Sequence, residues 1–285
     1  VMWLLIFTNV INLILDLWFV LGLNLNVEGV AFATLISEYS AVFLGLFVVF
    51  YQQDKWRKLL KNSHIFNISN LLAKQSMTQY FNLNKDILLR TLCLEFCFVF
   101  ITFQGARLGD DIIAANAILM NFLLLISLGL DGIANGAEAM IGEAKGANKY
   151  EKLNDIVKVS LFWTGVFAVV YALFFIFFGS WLIGLITSIK DVIHIAEQYI
   201  MWLWLMPLLA CWCYLYDGVY IGLMQTKIMR NSMIISTFLG FFPLWYLLQG
   251  FGNHAIWAAF SILMVLRGVT LAWHYHHVIA PKQCT

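Results

Sequence analysis

Long apolar runs separated by short polar segments make up most of this sequence. A helix that crosses a bilayer needs about 20 mainly apolar residues, and eight runs of that kind can be counted. They cover residues 2–23, 28–51, 84–105, 111–141, 157–186, 192–224, 231–249 and 254–279. The pattern therefore predicts an all-α polytopic membrane protein with eight transmembrane helices and with both ends on the same side of the membrane.

The longest polar segment lies between the second and third runs and contains five lysines and arginines among residues 52–82. It predicts a linker between two helical bundles, with room for a short amphipathic helix. The expected domains are two helices in residues 1–51, the linker, and a bundle of six helices with a short tail in residues 83–285.

Lysine and arginine predict the orientation, because cytoplasmic loops of membrane proteins contain an excess of them. Fifteen of the 17 fall in the linker, near the start of the third run, or toward the same side in later segments, and two fall on the other side. The fifteen include Arg90 and Arg267. The sequence therefore predicts that the linker and the C-terminus are cytoplasmic.

Composition narrows the function. The chain is 62% hydrophobic and 12% charged, whereas soluble domains are close to half apolar and a quarter charged. There is no basic stripe, which argues against a nucleic-acid partner. The five cysteines lack zinc-type spacing and are expected to pack in the core. No HExxH or GxSxG motif is present, so we predict no enzymatic activity, no metal centre and no cofactor.

Polar residues inside the first two runs form one candidate site. Asn12 and Asp16 are four residues apart and share a helix face with Asn9. Thr34 lies at a comparable depth in the second run. An amide, a carboxylate and a hydroxyl together can bind a proton or a hard cation such as Na⁺. The alternative is a hydrogen-bonded contact between two helices.

A second candidate site lies in the six-helix bundle. Glu95 and Asp217 have matching depths, so they could face one another, and Asp131 shares a helix face with Asn135 and Glu138. Charged groups at membrane depth are functional candidates by default. These acids are candidates for a proton or cation site, and a structural role is the alternative, which is favoured for Glu138.

Three further features concern packing and the substrate. Tyr214, Asn121 and Asn135 are candidates to line a substrate cavity. Glycine pairs with a spacing of four occur twice and indicate close helix packing. They are Gly132 with Gly136 and Gly218 with Gly222. The polar lead and small-residue start of the first two helices also recur loosely in the last two, as in transporters built from repeats.

Four segments of this sequence resemble the DinF branch of the multidrug and toxic compound extrusion (MATE) transporters. They are LGDDIIAANAILMN, LDGIANGAEAMIGEAKGA, CWCYLYDGVYIGLMQTKIMRNSM and GNHAIWAAFSILMVLRG. The resemblance implies twelve helices in two lobes of six. Residues 1–51 would then be the last two helices of the N lobe, residues 83–285 a complete C lobe, and about four helices would precede them.

The resemblance also implies a function and sites. Members of the family export small molecules by alternating access, coupled to H⁺ or Na⁺ antiport. The N-lobe cation site of the family matches Asn12, Asp16 and Thr34, and its C-lobe site matches Glu95 and Asp217. The tyrosine expected four residues before Asp217 is replaced here by Cys213.

We therefore expect a monomeric efflux antiporter for amphipathic or cationic drugs and toxic metabolites, in the bacterial plasma (inner) membrane. Its partners would be the lipid bilayer, a small organic substrate and the coupling ion. A competing hypothesis is a flippase for lipid-linked precursors, against which the predominance of acids among the intramembrane charges argues. Two more hypotheses are an integral-membrane enzyme, which no motif supports, and an inactive fragment.

Overall fold

A computed structural model describes residues 2–23, 25–51, 74–149 and 151–279. Residues 52–73, which are most of the predicted linker, and the tail after residue 279 lie outside the described residues. The described residues form eight helices. They are α1 (Met2–Asp16, continued by a π-helix at Leu17–Gly22), α2 (Asn26–Tyr51), α3 (Lys74–Leu108), α4 (Asp110–Gly146), α5 (Glu151–Ile186), α6 (Lys190–Gly222), α7 (Thr226–Phe251) and α8 (Asn253–Ile279).

Within this described part of the chain, six helices are long and apolar enough to cross a membrane, namely α2 and α4 to α8. The prediction of an all-helical membrane protein is confirmed, but the count of eight spans is not. The apolar part of α1, Ile6–Gly22, is shorter than the other six. At about 1.5 Å per residue its length is about 26 Å, against a hydrocarbon core of about 30 Å. Helix α3 is 35 residues long and is not among the six.

The chain divides into two compact units, Val1–Met77 and Thr78–Thr285. In the first unit, α1 packs along α2. In the second unit, α6 is the central helix and packs against α4, α5 and α8. Its last turns, from Leu215 to Tyr220, are buried at every position. Helix α6 therefore sets the position of any polar group near its C-terminal end.

Close approach between α4 and α6 depends on one of the two glycine pairs. A Cβ atom at Gly218 would overlap the carbonyl oxygen of Ala134, and one at Gly222 would lie 2.7 Å from the carbonyl oxygen of Glu138. Only a hydrogen fits at these two positions. A Cβ atom at Gly132 or Gly136 would have no atom of another residue within 4 Å, apart from its own helix backbone and chain neighbours. The predicted packing role is therefore observed for the pair on α6, whereas the pair on α4 faces open space.

Helix α3 begins at Lys74, so residues 74–82 at the end of the predicted linker are helical. Its inner face is aromatic and packs onto α7 and α8. The rings of Phe98 and Phe260 lie 5.5 Å apart, and those of Phe100 and Trp245 lie 4.8 Å apart. Aromatic pairs at these distances add to the stability that burial provides, and they hold α3 against the bundle.

The described residues contain three π-helical segments, of which Tyr275–Ile279 ends α8 and the other two lie beside an acid or a proline. One, Leu17–Gly22, directly follows Asp16 in α1, and the other, Ser236–Phe241, precedes Pro243 in α7. Proline lacks the N–H that an α-helix needs at this position, so the hydrogen-bond ladder of α7 has to change there. Short π segments are frequent at functional sites. The loose repeat in the sequence pairs these same two helices.

Candidate functional site

The first unit brings Asn12, Asp16 and Thr34 together. The Asn12 amide has two orientations, which exchange its oxygen and nitrogen. In one, Nδ2 donates to Thr34 Oγ1 at 3.4 Å. In the other, Nδ2 donates to Asp16 Oδ2 at 3.2 Å and Oδ1 accepts from the Thr34 backbone N–H at 3.3 Å. The second orientation satisfies both amide atoms, and it makes Asn12 a bridge between the two helices.

Asp16 keeps one carboxyl oxygen without a partner. Oδ1 is buried and has no hydrogen bond to any residue that the structure describes. An unpaired carboxylate oxygen in a membrane interior is costly unless a proton or cation neutralises it. Asn9, by contrast, is exposed. The arrangement can bind a proton or Na⁺ between Asp16 and the neighbouring amide and hydroxyl oxygens, and this role stays a prediction.

The second unit contains a buried group of opposite charges around Asp217. Arg90 on α3 donates from Nη1 to Asp217 Oδ2 at 2.7 Å, and Arg267 on α8 donates from Nη2 to the same oxygen. Asp217 is 8% exposed and Arg267 is 3% exposed. The carboxylate therefore joins three helices, α3, α6 and α8, through two ion pairs.

Asp131 on α4 belongs to the same group. It interacts electrostatically with both Arg267 and Arg90 and is half-buried. Two arginines and two aspartates carry no net formal charge between them. Helices α3, α4, α6 and α8 thus each contribute one group to a neutral cluster, which makes burial of its charges tolerable.

The structure does not pair Glu95 with Asp217, although their depths match. Glu95 is exposed, and both ion pairs of Asp217 go to arginines. Arg90 and Glu95 lie five residues apart on α3, which separates them by about 140° around a helix with 3.6 residues per turn. When α3 presents Arg90 to Asp217, Glu95 must point elsewhere.

The sequence pattern misses the two arginines as site residues, because it counts them among the loop charges. Each lies inside an apolar run, Arg90 six residues into the third and Arg267 thirteen residues into the eighth. Without them, thirteen lysines and arginines remain on the predicted cytoplasmic side and two on the other side. A charged residue inside an apolar run is itself a candidate for a functional site, and this signal could have identified both arginines. Acids still outnumber bases among the intramembrane charges, but the two arginines lie beside Asp217, the acid that was expected to face Glu95.

The candidate cavity residues occupy separate positions. The Tyr214 hydroxyl lies 2.5 Å from Ser127 Oγ and is half-buried, whereas Asn121 and Asn135 are exposed on α4. Near the C-terminal end of α8, His276 Nε2 lies 3.2 Å from the hydroxyl of Tyr216 on α6. That histidine belongs to a hydrogen-bonded contact between α6 and α8.

Comparisons with known proteins agree with this architecture. A family model described as MatE matches residues 87–247, more than half of the chain. The chain is 39% identical over 279 residues to DNA damage-inducible protein F of Escherichia coli (strain K12), covering 96% of this chain and 58% of that protein. It is 26% identical over 189 residues to the Multidrug export protein MepA of Staphylococcus aureus (strain MSSA476), covering 65% of this chain and 40% of that protein.

Among solved structures, the Vibrio cholerae MATE transporter VcmN in the bent form matches with a TM-score of 0.82 at 21% identity, covering 99% of this chain and 62% of that one. The chain belongs to the MatE family. The family prediction made from the four motifs is confirmed. Because the family consists of transporters, the prediction that the chain is not an enzyme is confirmed as well. The chain spans less than two thirds of the length of each of these proteins.

Proposed function

We propose that this chain is part of a secondary active efflux transporter that exchanges H⁺ or Na⁺ for a small organic substrate by alternating access. The observation that carries the proposal is the buried, unpartnered Oδ1 atom of Asp16 beside Asn12 and Thr34. Binding of a cation or proton there neutralises the Asp16 carboxylate, whose charge is otherwise uncompensated in a medium of low dielectric constant. The ion is therefore both the ligand and the coupling agent.

Exchange requires that ion and substrate favour opposite conformations. A ligand shifts a conformational equilibrium only by the difference between its affinities for the two states. The π-helix that begins directly after Asp16 puts a non-standard helical segment next to the ion site, and such segments often occur where function needs local adjustment. Ion binding at Asp16 would thus alter the segment Leu17–Gly22.

The substrate class we propose is amphipathic or cationic drugs and toxic metabolites. A relative of this chain is named a multidrug export protein. Tyr214, Asn121 and Asn135 are our candidates for contacts with the substrate, which would enter from water or from the bilayer. No cofactor other than the coupling ion is part of this proposal.

For topology we propose a monomer in the bacterial inner membrane with a cytoplasmic C-terminus. Helices α1 and α3 would span the bilayer with the other six. Residues 1–51 would be the last two helices of an N lobe, residues 52–82 a cytoplasmic linker and residues 83–285 the C lobe. Sequencing the DNA upstream of the codon for Val1 tests this assignment, because an open frame for about four more helices is expected there. A stop codon in that frame would favour an inactive remnant.

A lipid-linked precursor flippase receives no added support. Such a protein would need an uncompensated cationic cavity, and the arginines Arg90 and Arg267 are neutralised by Asp217 and Asp131. The choice between the two functions therefore depends on transport measurements.

The test uses full-length protein in liposomes, with an imposed H⁺ or Na⁺ gradient and a fluorescent cationic substrate. Asp16→Asn removes the ionisable group and keeps its size, so we expect gradient-driven transport to fall by at least about tenfold, the scale set by 1.4 kcal/mol. Asn9→Ala removes an exposed amide about one helical turn before Asn12 and should transport normally. Normal transport by Asp16→Asn under both gradients would contradict the proposed coupling site.

A further inference from the structure

The ion pairs of Asp217 have the geometry of an occupied cation site. Two guanidinium groups bind one carboxylate oxygen, Oδ2, from α3 and from α8. A carboxylate in a site that binds a cation from solution would instead be surrounded by neutral oxygen ligands. At Asp217, positive charge is already present and is covalently part of the protein.

Two sulfur-containing side chains near Arg267 also fit poorly around a hard cation. Cys213 Sγ donates to Met264 Sδ at 3.6 Å, and Met264 Sδ lies 3.9 Å from Arg267 Nη1. These are soft sulfur atoms, whereas hard cations take oxygen ligands. The unpartnered Oδ1 of Asp217 is buried, but a cation there would approach two arginines on the adjacent oxygen of the same carboxylate.

The charge balance explains why the cluster needs no external ion. The charged groups are Asp217 from α6, its ion-pair partners Arg90 from α3 and Arg267 from α8, and Asp131 from α4, which interacts electrostatically with both arginines. Their formal charges cancel. A bound Na⁺ would leave the cluster with an uncompensated positive charge next to the buried Asp217 and Arg267, which is unfavourable.

We propose that Arg90 and Arg267 take the place of a bound cation at Asp217, so that the second unit does not bind Na⁺ and Arg90 determines this ion specificity. The inference rests on the proposed cation-coupled transport. Within the described residues, the first unit then supplies the coupling-ion site. Arg90 is the determinant that can be changed, because its side chain is 21% exposed, against 4% for Arg267.

The proposal predicts a gain of function. Arg90→Gln leaves Asp131, Asp217 and Arg267 with a net charge of −1, and one Na⁺ restores neutrality. Na⁺ binding to purified full-length protein is measured by calorimetry in an Asp16→Asn background, which removes the site of the first unit. K⁺ replaces Na⁺ in the control titration at constant ionic strength.

We expect no Na⁺-specific binding in Asp16→Asn alone and one saturable Na⁺ site after Arg90→Gln is added. Asp217→Asn should abolish the new site, and Arg90→Lys, which keeps the charge, should not create it. If Arg90→Gln does not fold, the Asp16→Asn protein alone still decides, because saturable Na⁺-specific binding to it would overturn the proposal. A folded Arg90→Gln protein without a Na⁺ site would overturn it as well.

This measurement needs no gradient and no substrate. Failure of transport coupling at Asp16 would appear only in the liposome experiment, whereas failure of the arginine proposal would appear only in the binding experiment. The two proposals can therefore fail separately.

Discussion

Arg267 on α8 binds Asp217 on α6 within the second unit, and both side chains are almost completely covered by protein. The pair links two helices that each are long enough to cross the membrane. Breaking a buried ion pair by removing one partner is far more damaging than losing a surface pair, because the other charge stays buried without compensation. The stability of the second unit should therefore depend on this contact.

Asp217→Asn is expected to destabilise the protein by about 3 to 5 kcal/mol, since it leaves two arginines facing one another. Thermal unfolding of the purified protein in detergent measures the effect. Glu95→Gln removes an acid from an exposed position and should leave the melting temperature close to that of the wild type. Equal melting temperatures for the two variants would show that the ion pairs do not stabilise the fold.

The two glycine pairs provide a matched test of helix packing. Gly218→Ala should cost about 1 to 3 kcal/mol, because the added methyl group overlaps the backbone of Ala134. Gly132→Ala, on a face with no atom within 4 Å, should be neutral or should stabilise by about 0.5 to 1 kcal/mol through helix propensity. Unfolding of both variants under the same conditions gives the comparison. Similar costs at both positions would mean that intrinsic propensity, and not contact, governs them.

A reciprocal amide pair joins α4 to α8. Asn116 Nδ2 donates to Asn253 Oδ1 at 2.8 Å, and Asn253 Nδ2 donates to Asn116 Oδ1 at 2.9 Å. Trp257 Nε1 also donates to Asn116 Oδ1, at 2.9 Å. We expect Asn116→Leu to cost at least about 1 to 3 kcal/mol, the desolvation penalty of one buried group without a partner.

The control for this prediction is Asn121→Leu, because Asn121 lies on the exposed side of the same helix. Chemical or thermal unfolding in detergent serves as the measurement for both asparagine variants. A loss of stability at Asn121 as large as that at Asn116 would mean that the amide pair is not the cause.

Thr34→Val tests the hydroxyl in the first unit. Valine keeps the shape of threonine but removes the Oγ1 oxygen, which lies 3.4 Å from the Asn12 side-chain amide and is one of the oxygens that we propose bind the coupling ion. We expect the cation concentration for half-maximal transport to rise about tenfold, equivalent to about 1.4 kcal/mol, while Thr34→Ser stays close to the wild type.

The matched control is Thr102→Val on α3, an exposed threonine whose hydroxyl donates to the carbonyl oxygen of Phe98. It loses the same kind of hydroxyl at a position outside both candidate sites. An unchanged ion dependence in Thr34→Val, or an equal change in Thr102→Val, would remove Thr34 from the site.

Local pattern was sufficient for several features. Spans in α2 and α4 to α8 follow from runs of apolar residues, because a membrane helix satisfies its own backbone hydrogen bonds and needs only length and hydrophobicity. The contact of Asn12 with Asp16 follows from a spacing of four on one helix. Thr34 joins them because α1 and α2 are consecutive helices that pack together, so depth along each helix was enough.

The sequence pattern could not show which residues pair with Asp217, or which of the two glycine pairs packs against another helix. Depth along the helix pairs Asp217 with Glu95, whereas the structure pairs it with Arg90, and Gly132 and Gly218 begin identical spacings. The rotation of each helix about its axis selects between them, and that rotation is set by the packing of α3, α4, α6 and α8 against one another. The sequence by itself determined an all-helical membrane protein of the MatE family, because hydrophobic length and motif order are properties of single segments. Only the tertiary structure decided that two arginines neutralise Asp217, because a charge pair depends on which faces of separate helices meet.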